Sequence, residues 1–121
     1  MSKLILVIED QEDNRRIVRD LLTSAGYEVT EATTGEDGIT AAETCRPDLI
    51  LMDVQLPGLN GYEATRRIKD NPDLRHIPII VVTSYALSGD DVKACEAGCD
   101  AYVSKPFSPR ELLAKIREFV P

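Results

Sequence analysis

Five short apolar runs at nearly regular spacing, separated by segments of helical periodicity, predict an α/β fold: a five-stranded parallel sheet with helices on both faces. The runs are Leu4 to Ile8, Tyr27 to Glu31, Leu49 to Met52, Ile79 to Val82 and Ala101 to Ser104, with starts 23, 22, 30 and 22 residues apart. Each interval holds one strand, a three-turn helix and two short loops, so the pattern is βα repeated five times. At 121 residues there is room for one core.

Runs one, three and four are apolar throughout and belong in the middle of a sheet covered on both sides. Run two alternates Tyr27-Glu28-Val29-Thr30-Glu31 and suits an edge. The first helix carries an apolar stripe of Ile17, Val18, Leu21, Leu22 and Ala25, expected to be buried, and Gly26 supplies a left-handed stop. The second is weaker: Gly35 and Gly38 flank its first turn, and its inward face is expected to be Ile39, Ala42 and Cys45. Asn60 with Glu63 starts the third. A fourth, from about Ser88 to Ala97, has little to bury beyond Leu87, Val92 and Cys95, and is expected to be the least firmly held. The fifth opens on Ser108-Pro109-Arg110-Glu111, a capping box with proline in the first turn, and buries Leu112, Leu113, Ile116, Phe119 and Val120. Right-handed crossovers of this length join parallel neighbours, and the flavodoxin-like order 2-1-3-4-5, doubly wound, fits best.

Composition narrows the function. Hydrophobic residues at 43% and charged residues at 29% are globular values, with no apolar run long enough for a membrane helix. The start, Met1-Ser2-Lys3 before Leu4-Ile5-Leu6-Val7-Ile8 and then Glu9-Asp10, is too short and too soon acidic for a signal peptide, so a cytoplasmic address is expected. A net charge of -7 opposes direct nucleic-acid or anionic-membrane binding. Three cysteines suggest reduced thiols; Cys45, Cys95, Cys99 and His76 lack the tight ligand pairs of a structural zinc site.

In a parallel sheet the residues that end the strands gather at one edge, with ligands at the switch point between strands one and three. Those residues are Glu9-Asp10, Asp53, Thr83-Ser84 and Lys105-Pro106. Crowded carboxylates raise one another's pKa unless a cation intervenes, and a hard divalent ion such as Mg²⁺ needs only one or two of them plus phosphate oxygens. Lys105 can engage phosphate, and Thr83 or Ser84 can donate a hydrogen bond. An anion-binding group beside a metal-binding acidic pair implies phosphoryl chemistry, with Asp53, alone on its strand, as nucleophile.

With these residues in place, the sequence resembles a bacterial response-regulator receiver domain over all 121 residues. The family places an acidic pair after its first strand, matching Glu9 and Asp10, and its phosphoacceptor at the end of the third, matching Asp53 in Leu49-Ile50-Leu51-Met52-Asp53-Val54-Gln55-Leu56-Pro57. It has Thr or Ser after the fourth, matching Thr83, and Lys-Pro after the fifth, matching Lys105 and Pro106. The resemblance implies that Asp10 and Asp53 ligate Mg²⁺ (with Mn²⁺ able to substitute), Glu9 acts through water and Gln55 offers its backbone carbonyl. It also implies a cis Lys105-Pro106 bond and a switch in which phosphorylation draws in Thr83 and turns Tyr102 inward. That movement reshapes the face of the fourth helix, fifth strand and fifth helix for a downstream protein target. Gln55, Ser84 and Tyr85 sit where the family tunes the site, and Glu9 replaces the commoner Asp.

The implied function is a two-component or phosphorelay switch: Asp53 takes a phosphoryl group from a histidine kinase or histidine phosphotransfer protein. It implies a signalling protein and not an enzyme, with residues 1–121 a receiver and no output domain. The long Asp70 to Pro78 loop resembles single-domain receivers of alphaproteobacterial cell-cycle control, and also receivers of hybrid kinases. Two alternatives stay open, a Mg²⁺-dependent aspartyl-nucleophile phosphatase and an inactive receiver-like adaptor. The phosphatase needs a second acid where Gln55 stands. Blander readings also stand: Glu9-Asp10 as a solvated cap, Tyr102 as core packing, and Arg15, Arg16 and Arg19 as a solvated face, with docking of a phosphohistidine partner as their sharper role.

Overall fold

A computed structural model describes residues 2–83 and 98–121. Its strands are β1 (Leu4–Ile8), β2 (Glu28–Ala32), β3 (Leu49–Asp53), β4 (Ile79–Thr83) and β5 (Ala101–Ser104), all parallel in the order β2-β1-β3-β4-β5. Helices α1 (Glu12–Ser24), α2 (Gly35–Cys45), α3 (Gly61–Asp70) and a C-terminal helix (Pro109–Arg117) cover it. The predicted sheet order holds, and each strand lies within a residue of its apolar run. The segment Ser88 to Ala97, with its expected weak helix, lies outside the described residues, as do Leu87, Val92 and Cys95.

Alternation along each strand divides the core in two. Leu6, Ile8, Ile50, Met52, Ile79 and Val81 face α2 and α3, where Ala42, Ala64 and Ile68 meet them. On the other face Ile5, Val7, Leu49, Leu51, Ile80 and Val103 pack against Leu22 of α1 and Leu112 and Ile116 of the C-terminal helix. Each wholly buried leucine or isoleucine contributes about 1.5–3 kcal/mol. β1, β3 and β4 are buried nearly throughout, while β2 and β5 are the half-exposed edges.

The caps follow the sequence. Asn60 and Ser108 accept from the N–H groups of Glu63 and Glu111, Thr34 caps α2, and Gly26 takes φ 95° after α1. Two expectations fail. Ile17 is 62% exposed, because it sits at the first turns of α1, beside the open edge of the sheet. Cys45 is exposed at the last turn of α2, where Arg46 ends the helix in the left-handed region. Gly38, counted against α2 as a poor helix former, is required by packing: a Cβ there would collide with the Ile8 side chain.

At the edge opposite the strand C-termini, Lys69 closes the long loop after α3. Its Nζ donates to the carbonyls of Arg75 and Ile77 and to Asp100 Oδ2, which also accepts from Ile79 N–H at 2.8 Å. No helix among the described residues is long and apolar enough to cross a membrane.

Candidate functional site

Glu9 extends β1 by one residue: its N–H donates to the Ala32 carbonyl at 3.0 Å, and its side chain is buried at the sheet edge. Gln11 N–H then donates to Glu9 Oε2 at 3.2 Å, turning the chain into α1 and leaving Asp10 half-buried. Asp53, the last residue of β3, is buried as well. The start of α3 presses against its backbone. A Cβ at Gly61 would overlap the Asp53 carbonyl oxygen and lie 2.8 Å from Val54 Cα, so only glycine fits there.

β4 ends in Thr83, buried, whose carbonyl accepts from Lys105 N–H at 2.7 Å. That bond continues the ladder past Ser104 and swings the lysine over the edge. Lys105 Nζ reaches Glu9 Oε1 at 3.3 Å and Asp53 Oδ1 at 3.4 Å, and the bond to Pro106 is cis, as the resemblance implied. Carboxylate oxygens of Glu9, Asp10 and Asp53 all lie within 4.8 Å of one another. Residues from β1, β3 and β5 therefore meet, as the strand-end reading expected, with Thr83 at the neighbouring strand end.

Three carboxylates against one ammonium leave the group strongly negative. Burial raises the Glu9 carboxyl above its ordinary range, helped by a hydrogen bond with Asp53 and by the Asp53 charge; the Gln11 N–H and Lys105 pull the other way. Such a set suits a hard cation: every donor is an oxygen, and a divalent ion would relieve the crowding that Lys105 offsets only in part. The donors present fit Mg²⁺. A cleft of about 610 Å³ opens alongside, lined by Ile17, Lys105, Pro106 and Phe107 among others.

Gln55 is exposed in the loop after β3. Tyr102, opposite Val81 in β5, is 40% exposed, so the core-packing reading of it does not hold. Ser84 and Tyr85 lie outside the described residues. Two contributors escaped the sequence reading. Gly61 had only its place beside the Asn60 cap as a signal. Arg15, read as part of a solvated face or a docking patch, instead donates from Nη1 to the Glu9 carbonyl at 2.9 Å. Arg19 pairs with Glu31 at 3.3 Å, and Arg16 is exposed.

An acidic group facing a lysine at the switch point of a 2-1-3-4-5 sheet defines a class of phosphoryl-responsive signalling domains. The comparisons with known proteins agree. The response regulator receiver domain family matches residues 5–117. The Polar-differentiation response regulator DivK of Brucella anthropi is 42% identical over 120 residues, covering 99% of this chain and 98% of that protein. The receiver domain of sensor histidine kinase PA1611 from Pseudomonas aeruginosa PAO1, solved with a magnesium ion coordinated in its active site cleft, superposes with a TM-score of 0.92. It is 38% identical, covering 99% of this chain and 98% of that one. Chemotaxis protein CheY4 of Vibrio cholerae gives a TM-score of 0.92 at 26% identity, covering 98% and 99%. The chain belongs to the response-regulator receiver family of two-component signalling.

Proposed function

We propose that Asp53 is the phosphoacceptor, taking its phosphoryl group from the phosphohistidine of a histidine kinase or histidine phosphotransfer protein. The observation that carries this reading is a buried aspartate at a strand end, with Lys105 Nζ 3.4 Å from its Oδ1 and two further carboxylates beside it. An Asp53 oxygen attacks phosphorus; the P–N bond breaks and its electron pair returns to the imidazole, leaving an aspartyl phosphate. Lys105 exchanges its contact with the carboxylate for one with the incoming phosphoryl oxygens. Thr83 donates its hydroxyl to the same group. Bound Mg²⁺, or Mn²⁺ in its place, supplies charge neutralisation and in-line orientation. Asp10, Asp53 and the Gln55 carbonyl would hold it, with Glu9 acting through water.

Tyr102 is half-exposed on the edge strand β5. Because a ligand shifts an equilibrium only by its differential affinity, the phosphoryl group must bond better when Thr83 is drawn in and Tyr102 follows. The responding surface includes β5 and the C-terminal helix, and a downstream protein reads it. Gln55, Ser84 and Tyr85 set water access and so the lifetime of the modification. The chain works as a cytoplasmic switch that assists only its own phosphorylation and dephosphorylation. Nucleic acid and membrane are not direct partners.

Intact-protein mass after incubation with acetyl phosphate, with and without Mg²⁺, tests this. One phosphoryl adduct that depends on the metal and is missing from Asp53→Asn is expected. Steady release of phosphate from unrelated monoesters would favour the phosphatase, and no adduct under any condition the inactive adaptor.

A further inference from the structure

We infer that Arg15 is a positioning residue for the metal site, working through the Glu9 carbonyl, and that Glu31 is its anchor. The inference rests on the proposed role of the acidic group. Arg15 sits on α1 with its side chain only 18% exposed, and its head is committed at two points. Nη1 donates to the Glu9 carbonyl at 2.9 Å, and Nε lies 3.8 Å from Glu31 Oε1 on β2. Glu31 stands opposite Val7 in the β1–β2 ladder, so the tie runs from α1 through a rigid strand pair to the first residue of the acidic turn.

The other polar groups of Glu9 are engaged as well. Its N–H is held by the Ala32 carbonyl and its carboxylate by Gln11 N–H and Lys105. Its carbonyl oxygen is taken by Arg15 Nη1. A planar guanidinium can serve a carbonyl and a carboxylate at once, which a single ammonium cannot do as rigidly. The peptide so held is the one that joins Glu9 to Asp10, and its orientation sets how the two carboxylates approach Asp53. Arg15 therefore acts on geometry. It shares the Glu31 carboxylate with Arg19, whereas Arg16 on the same helix is exposed.

The test measures Mg²⁺ affinity by isothermal titration calorimetry on the metal-free full chain, alongside the Mg²⁺ concentration giving half-maximal phosphorylation by acetyl phosphate. Arg15→Ala should weaken Mg²⁺ binding about tenfold, the scale on which outer partners of metal ligands act. The half-saturating Mg²⁺ should rise equally, with the maximal rate at saturating metal preserved. Arg15→Lys should recover part of the loss. Glu31→Gln should show a smaller loss, and combining it with Arg15→Ala should add little, because one tie is being cut twice. Arg19→Ala removes another partner of Glu31 without touching Glu9, and should stay within about twofold of wild type.

Wild-type affinity in Arg15→Ala, or an equal loss in Arg19→Ala, would overturn the inference by reducing Arg15 to general support of the fold. Should Arg15→Ala fail to fold, judged by metal-free melting, Arg15→Lys and Glu31→Gln decide in the same way. If wild type takes up no phosphoryl group while the variants still shift Mg²⁺ affinity, the phosphoacceptor reading falls and the tie stands.

Discussion

Replacing Lys105 with methionine keeps the length of the side chain and removes the cation that faces Glu9 and Asp53. At 3.3 and 3.4 Å each contact has a gross attraction of about 5 kcal/mol at an effective dielectric of 20. Much of that is cancelled by desolvation of the ammonium, whose side chain remains a quarter exposed. Removing one partner of a buried pair costs about 3–5 kcal/mol, and the partial exposure here lowers the expectation to about 2–3 kcal/mol. For a domain of this size that is roughly 10 °C in Tm.

The loss should depend on pH in a definite direction. Without Lys105 the Glu9 carboxyl, already raised by burial and by Asp53, rises further. A group whose pKa is raised on folding contributes stability at low pH that is lost as pH rises through the folded value. The variant should therefore fall furthest below wild type at neutral pH and come closest to it in acid. Mg²⁺ should give it a larger stabilisation than it gives wild type, because a bound cation replaces the missing charge. At ten times its dissociation constant that linkage is about 1.4 kcal/mol in either protein, so the comparison is made at equal total metal. Thermal melting at pH 5 and pH 7.5, with and without Mg²⁺, is the assay. Equal loss at both pH values with no greater response to metal would show that Lys105 is not the counter-charge of this group.

Other perturbations reach neighbouring parts of the site. Glu9→Gln should melt higher than wild type at neutral pH in the absence of metal, with the gain shrinking in acid, because the folded site disfavours the ionised carboxyl; melting curves across pH read it. Gly61→Ala should cost about 2–3 kcal/mol in denaturant unfolding, as a methyl group there meets the backbone of Asp53 and Val54, and should slow acetyl phosphate uptake. Thr83→Ala should still be phosphorylated, yet the ring resonances of Tyr102 should no longer shift on phosphorylation as in wild type; an unchanged shift would break the proposed coupling.

Much of this was legible because strand periodicity and strand ends are local signals. Leu4 to Ile8 and Ala101 to Ser104 were bounded to the residue, and the apolar, two-faced character of β3 and β4 placed them centrally. From order alone the topology then put Glu9, Asp10, Asp53 and Lys105 on one edge. What escaped depends on neighbours distant in the chain. Ile17 has the spacing of a core residue, but it lies in the half of α1 that overhangs the open edge. Gly38 weakens α2 in isolation and is what allows α2 to approach Ile8. Arg15, Arg16 and Arg19 look alike in sequence; only the arrival of Glu31 from β2 sets Arg15 and Arg19 apart from Arg16.

The central claim, that Asp53 carries the phosphoryl group, is tested most directly by locating the modification. Borohydride reduces an aspartyl phosphate to the alcohol, so peptide mass mapping of acetyl phosphate-treated protein should find homoserine at position 53, dependent on Mg²⁺. Reduction product at another acidic residue with Asp53 untouched would contradict the account.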